Sequence, residues 1–307
     1  MKFLNSIIVL TMLAPNSFAL DQKSCTDIEL REQVGPIRNQ GDVGWCYANA
    51  SADLLTAFYK SKNQGFMSAI QLAMIYNNSY EESLTAQGGD IADTLKVALR
   101  LVHTGESSSE LLKVGYCPNS LELEAMTTGP KTPLSTKIKR LNELKALFDL
   151  GKSNPLSKKQ FWDLYLGYRA QGSILAKIPE ATFIQALEKS NPGNFLLRFA
   201  DIICGEIRVY NDRPDIKLVQ HSKSIPMTFT YPKGPSCSTN INFDLIPDIH
   251  RELQNGRLVG VGFYASLIVN PGLSPDGLSG HAAVIVGRRW RSGACQLEMR
   301  NSWGTDG

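Results

Sequence analysis

Three side chains stand where their types and spacing could do chemistry. The stretch GWCYANASADLLTAFYK, Gly44 to Lys60, has good helix formers and no proline, so it is expected to be a helix with Cys46 in its first turn. There the unpaired backbone N–H groups and the helix dipole favour a thiolate and lower the thiol pKa. A buried, inert cysteine would suit the same position equally well. His281 and Asn301 stand ten residues either side of Arg291, and Arg291-Ser292-Gly293 reads as a turn. An antiparallel pairing about that turn sets the two residues opposite or nearly opposite, with Cβ atoms ~4.5–5.5 Å apart if directly paired; a bulge or slip would shift them. An amide there would orient an imidazole without adding a second charge. A lone, satisfied histidine at a strand start is the other reading of His281.

The elements that must position these groups fall into three stretches. Apolar residues of the Cys46 helix spread around most of its circumference, which describes a central, buried helix. A second helix is expected from Ser68, where Ser68 and Gln71 have capping-box spacing, and a third from Asp90 to His103, stopped near Gly105. Between about 118 and 245 come amphipathic helices around Leu134–Leu150 and Ser157–Tyr168, then short strands at Ile207–Tyr210 and Pro226–Thr230. The last part reads as strands at Leu258–Val269, Ala282–Trp290 and Ala294–Arg300. Gly260, Gly262 and Ala265 fit GxGxxA, but they lie inside a strand with no helix start after them, which argues against a dinucleotide site.

Composition narrows the class of function. The 307 residues are 43% hydrophobic and 20% charged, with 32 Lys plus Arg against 29 Asp plus Glu, the profile of a globular protein with a core. A net charge of +3 gives no large one-sided field. The basic surplus between Lys131 and Lys159 lacks the interleaved aromatics of a nucleic-acid groove, so it reads as a solvated helix face. No nucleic-acid partner is expected. Lys2, the apolar run Phe3–Leu13 and the small residues Ser17 and Ala19 form a secretory signal pattern over 1–19, with cleavage after Ala19. The run is short for a membrane span, so a secreted or periplasmic protein without stable membrane insertion is expected. Export would allow disulfides among Cys25, Cys117, Cys204, Cys237 and Cys295, in a connectivity that spacing leaves open. His103, His221, His250 and His281 are scattered and no cysteine pair has metal spacing, so neither a metal nor a cofactor is expected.

Asn39-Gln40-Gly41-Asp42-Val43-Gly44-Trp45-Cys46-Tyr47-Ala48, then Gly280-His281-Ala282, then Arg300-Asn301-Ser302-Trp303-Gly304 together resemble the papain-like cysteine peptidases in order and spacing. The resemblance covers about Ile28–His103 and Ile246–Gly307. It implies Cys46 as nucleophile, His281 as its ion-pair partner and proton donor to the leaving amine, and Asn301 as the residue orienting His281. It further implies Gln40 as an oxyanion donor beside the Cys46 backbone N–H, and Trp303 as the indole covering the His–Asn contact. Gly88 and Gly89 resemble the glycine pair that offers backbone hydrogen bonds to an extended substrate, although a plain turn would look the same.

The chain also departs from the family. Val43 stands where a bridging cysteine is usual, Trp45 where a small residue is usual, and Tyr47 where a Trp is usual. Cys46 and His281 are 235 residues apart, against roughly 130 to 150 in the family, with the excess in the middle stretch. The fold class expected is therefore α+β: a papain-like two-lobed fold with a large, mainly helical insertion. Its parts would be a signal peptide (1–19), a helical lobe with the nucleophile (20–117), the insertion (118–245), expected to shape or cover the cleft, and a β lobe (246–307) that looks cut short at its C-terminus. The expected activity is hydrolysis of peptide or protein substrates through an acyl-thioester. A thiol acyltransferase or amidase on the same fold, and a catalytically silent binding module, are the alternatives.

Overall fold

The structure is a computed structural model describing residues 9–10, 21–40, 43–59, 66–79, 88–103, 116–117, 145–146, 148–152, 159–160, 162–163, 165–166, 179–187, 245–264 and 280–302. The chain divides into two compact units, residues 40–215 and residues 1–39 with 216–307.

In the first unit, α1 (Cys46–Tyr59), α2 (Ala69–Ser79) and α3 (Ile91–His103) pack against one another. α1 is buried on every side from Cys46 to Asp53, as its distributed apolar residues predict, and Ala48, Ala50, Ser51 and Ala52 keep its neighbours close. Ser68 caps α2 by accepting the Gln71 backbone N–H at 3.2 Å. Asp90 does the same for α3, accepting from the Asp93 N–H at 3.0 Å. Two-residue strands β3 (Phe66–Met67) and β4 (Tyr116–Cys117) pair antiparallel beside α1. In the middle stretch the described residues of 145–152 and 159–166 are helical, with Phe148 and Tyr165 buried, and α4 spans Glu180–Leu187. The expected strands Ile207–Tyr210 and Pro226–Thr230 lie outside the described residues.

The second unit is a sheet backed by α5 (Leu245–Gln254). Its strands are β1 (Val9–Leu10), β2 (Ile28–Glu29), β5 (Val259–Tyr264), β6 (Gly280–Arg291) and β7 (Ala294–Arg300). β6 pairs with β7 along one edge and with β5 and then β2 along the other, all antiparallel. Leu253, Ile285 and Leu297 form a core between sheet and helix, extended by Ile28, Ile249 and Val259. Val9 and Leu10, inside the apolar run read as a leader, pair with Glu298 and Leu297 of β7. Among the described residues no helix is long and apolar enough to cross a membrane.

Residues 21–39, assigned on sequence to the helical lobe, group with this sheet. The segment is pinned along its length. Cys25 is disulfide-bonded to Cys295, and the Trp290 N–H donates to Asp27 Oδ1 at 3.3 Å. The Leu30 N–H donates to the Val286 carbonyl at 2.7 Å, and Arg300 donates to the carbonyls of Gly35 and Pro36. Buried Glu298 is ion-paired with Arg289 and, at 3.6 Å, with Arg31.

Candidate functional site

Cys46 and Gln40 lie in the helical unit. Cys46 opens α1, buried at 8% exposure, and it is a thiol rather than half of a disulfide. The Trp45 carbonyl, one residue ahead, accepts the Asn49 backbone N–H at 3.1 Å and the Asn49 side-chain amide at 2.9 Å, which anchors the first turn. That leaves Cys46 among the N-terminal amides, where the dipole favours a thiolate. Gln40 is held in the preceding turn: its Nε2 donates to the Val43 carbonyl at 3.1 Å, and the Val43 N–H donates back to the Gln40 carbonyl at 3.3 Å.

Gly88 and Gly89 belong to the same unit and adjoin the start of α1. The Gly88 N–H donates to the Gly44 carbonyl at 2.9 Å, two residues ahead of Cys46. Each glycine has its own reason. Gly88 has φ +91° with open space around it, a backbone shape few other residues adopt. Gly89 lies against Tyr47, where a Cβ would stand 2.8 Å from ring atoms Cε2 and Cζ.

His281 and Asn301 lie in the sheet unit. His281 is the second residue of β6 and Asn301 follows β7 directly. The turn joining these strands is the two-residue Ser292-Gly293, with φ of 50° and 78°, the positive pair that matches hairpin twist. This tightens the three-residue turn expected from sequence. A bulge between Ile285 and Gly287 then shifts the register, so Val284 faces Arg300. Continued by one residue, that register sets Asn301 across from Ala283, and His281 two positions further along. The pair is diagonal, on one face of the sheet, and diagonal neighbours ~7–8 Å apart stay within reach of long side chains. The contact closes with His281 Nε2 to Asn301 Oδ1 at 2.7 Å.

The direction of that bond follows from a third group. The Ser302 backbone N–H donates to the same Asn301 Oδ1 at 2.7 Å, and a backbone N–H can only donate, so the oxygen is identified. His281 Nε2 must therefore carry a proton, and in the neutral ring Nδ1 keeps the lone pair. Asn301 Nδ2 is buried with no hydrogen-bond partner among the described residues; turning the amide over would bring two donors against it. Phe263, paired with His281 in the sheet, stands edge to face with the imidazole at 5.3 Å. Burial holds the His281 pKa below its ordinary value, against the Asn301 hydrogen bond, which raises it.

Of the residues singled out on sequence, the helical unit gathers Gln40, Cys46, Gly88 and Gly89, and the sheet unit gathers His281 and Asn301; Trp303 lies outside the described residues. Phe263 and Ser302 were not singled out. The alternation of β5 could have pointed to Phe263, since a residue paired with His281 must share its face; Ser302 acts through its backbone and leaves no side-chain signal. Among the described residues no cluster of His, Cys, Asp or Glu could hold a metal. Compared with known proteins, the chain matches no family model, no curated protein and no solved structure.

Proposed function

We propose that the protein is an exported thiol peptidase with the two-lobed, papain-like organisation read from its motifs, acting through Cys46, His281, Asn301 and Gln40. The observation that carries this reading is the His281–Asn301–Ser302 arrangement, which puts the imidazole proton on Nε2 and so supports Nδ1 in the role of base.

In this reading His281 Nδ1 takes the Cys46 proton and the thiolate sulfur bonds to the carbonyl carbon of a peptide. The carbonyl electron pair moves onto oxygen, and that oxyanion accepts from the Cys46 backbone N–H and the Gln40 amide. When the C–N bond breaks, the leaving amine takes the proton from His281. Water, deprotonated by the same nitrogen, then hydrolyses the acyl-thioester and restores the thiol. Asn301 orients the ring throughout and carries no charge of its own.

The test is reaction with a thiol-directed epoxide, mapping of the labelled residue, and digestion of a peptide library. Labelling at Cys46 with water-dependent cleavage, both lost in Cys46→Ala, is the expected result. Cleavage that survives Cys46→Ala in a pure preparation overturns the assignment. Turnover that needs an added amine would mark an acyltransferase, and a chain that neither labels nor cleaves would mark a binding module.

A further inference from the structure

Tyr47 departs from the Trp usual in the resembling family, and no step of the proposed chemistry uses it. It is fully buried, and three observations surround it. Its hydroxyl donates to Asn77 Oδ1 of α2 at 3.2 Å. Its ring lies against Tyr76, also of α2, with centroids 4.9 Å apart and planes tilted by 53°. The Cδ2–Cε2–Cζ edge faces Gly89 so closely that a Cβ there would come within 2.9 Å of all three atoms. One side chain therefore joins the residue after the nucleophile, the second helix and the glycine pair.

We propose that Tyr47 is a positioning residue: fixed by Asn77 and Tyr76, it sets the height of the Gly88–Gly89 backbone relative to Cys46, and so the register in which an extended peptide chain is held. The inference rests on the peptidase reading for its substrate, and on geometry alone for the clamp. The argument is one of stiffness. A phenol held only by packing can slide within its plane, whereas a hydroxyl bonded to an amide on another helix fixes the outer end of the ring. The Gly88 N–H to Gly44 carbonyl bond fixes the loop on its other side. Gly89 has no side chain with which to absorb an error, so its backbone N–H and C=O, the groups an extended peptide would pair with, stand wherever the ring edge puts them.

Two variants probe the clamp from opposite sides. Tyr47→Phe keeps the packing and removes the hydroxyl, and Gly89→Ala keeps the hydroxyl and forces the loop off the ring. Hydrogen exchange at the Gly88 amide reads the loop without any substrate. Steady-state kinetics on an extended peptide reads the register, and the rate of Cys46 alkylation by iodoacetamide, which needs no peptide backbone contact, reads the nucleophile by itself. The expected result for Tyr47→Phe is exchange at Gly88 faster by about fivefold, the effect of one lost neutral hydrogen bond. KM should rise by about the same factor, with kcat and the alkylation rate moving less than about twofold, because uniform binding is what is lost. Gly89→Ala should move KM further in the same direction. Unchanged exchange and KM in Tyr47→Phe overturn the proposal. So does a joint fall in kcat and alkylation, which would make Tyr47 a support of α1 in general. If the wild-type chain cleaves no peptide while exchange at Gly88 still responds to Tyr47→Phe, the peptidase reading fails and the clamp stands.

Discussion

Arg288 rests on an uncharged imidazole: its Nη1 donates to His250 Nδ1 at 3.0 Å, inside the sheet unit. The guanidinium has no exposure to solvent, and its other bonds go to the Thr26 carbonyl and hydroxyl, both at 3.1 Å, and to the His250 carbonyl at 3.4 Å. Because Arg288 can only donate, His250 must accept through Nδ1 and stay neutral. Burial first, and then the Arg288 charge, lowers the His250 pKa from 6.5 to about 4. The unfolded chain therefore takes up a proton below pH 6.5 that the folded chain refuses until about pH 4. The stability gained from a neutral His250 is complete above pH 6.5 and is lost as pH falls through that window, by about 3 kcal/mol at pH 4. Urea unfolding at pH 7 and pH 4.5 should show the loss, and His250→Gln should flatten it. An equally steep fall in the variant would assign acid sensitivity to other groups.

The Cys25–Cys295 bond closes a separation of 270 residues, and it is the covalent pin among several that hold 21–39 on the sheet. Replacing both cysteines by serine should cost about 2–4 kcal/mol of unfolding free energy. The sheet should survive, since the Arg300 and Arg288 bonds to the same segment remain. Denaturant titration checks the magnitude. Circular dichroism with an unchanged β signal checks the survival, and a collapsed sheet would show that the bridge is needed to form the fold.

The helix caps, the β7 span and the His281–Asn301 pairing were legible because each depends on local residue types: Ser68 with Gln71, Asp90 before Ile91, alternation from Ala294 to Arg300. The bulge at Val286 was not, because it follows from a tertiary fit. A Cβ on Gly287 would stand 2.3 Å from the Ile28 carbonyl, so β2 can approach β6 only at a glycine. That approach depends on where residues 25–30 are pinned, and the pins join Thr26 to Arg288 and Cys25 to Cys295 across most of the chain's length. No window of sequence contains both partners. For the same reason the N-terminal strap read as part of the helical lobe it precedes.

Two glycines in neighbouring strands should differ sharply in their response to one added methyl. Gly287→Ala drives a carbon into backbone, which cannot rotate away, and should cost about 1–3 kcal/mol or more while loosening β2 from β6. Gly262→Ala places its methyl 3.9 Å from the His281 carbonyl, an ordinary contact, and should leave stability within about 0.5 kcal/mol. Thermal unfolding of the two variants beside the parent measures both. Equal melting temperatures for Gly287→Ala and the parent would mean that β2 does not need its close seat.

Asn301 can be tested for its effect on His281 apart from any turnover. Its Oδ1 is the acceptor that keeps the proton on Nε2, so Asn301→Ala should let the neutral ring populate both tautomers, visible as shifted His281 ring-nitrogen resonances in a Cys46→Ala background. Asn301→Asp keeps the acceptor for both His281 Nε2 and the Ser302 N–H, so the Nε2–H tautomer should persist. It also adds a negative charge, which favours the imidazolium and should move the His281 titration upward from its lowered position. If the protein is the peptidase proposed above, Asn301→Ala should cost about tenfold in kcat, the weight of one orienting hydrogen bond. On the same reading Gln40→Ala should cost more, about 10² to 10³, because it would remove a donor to charge that exists only in the transition state. Should Asn301→Ala leave the His281 tautomer intact, Phe263 and burial would be enough to hold the ring, and Asn301 would have to be assigned to another task.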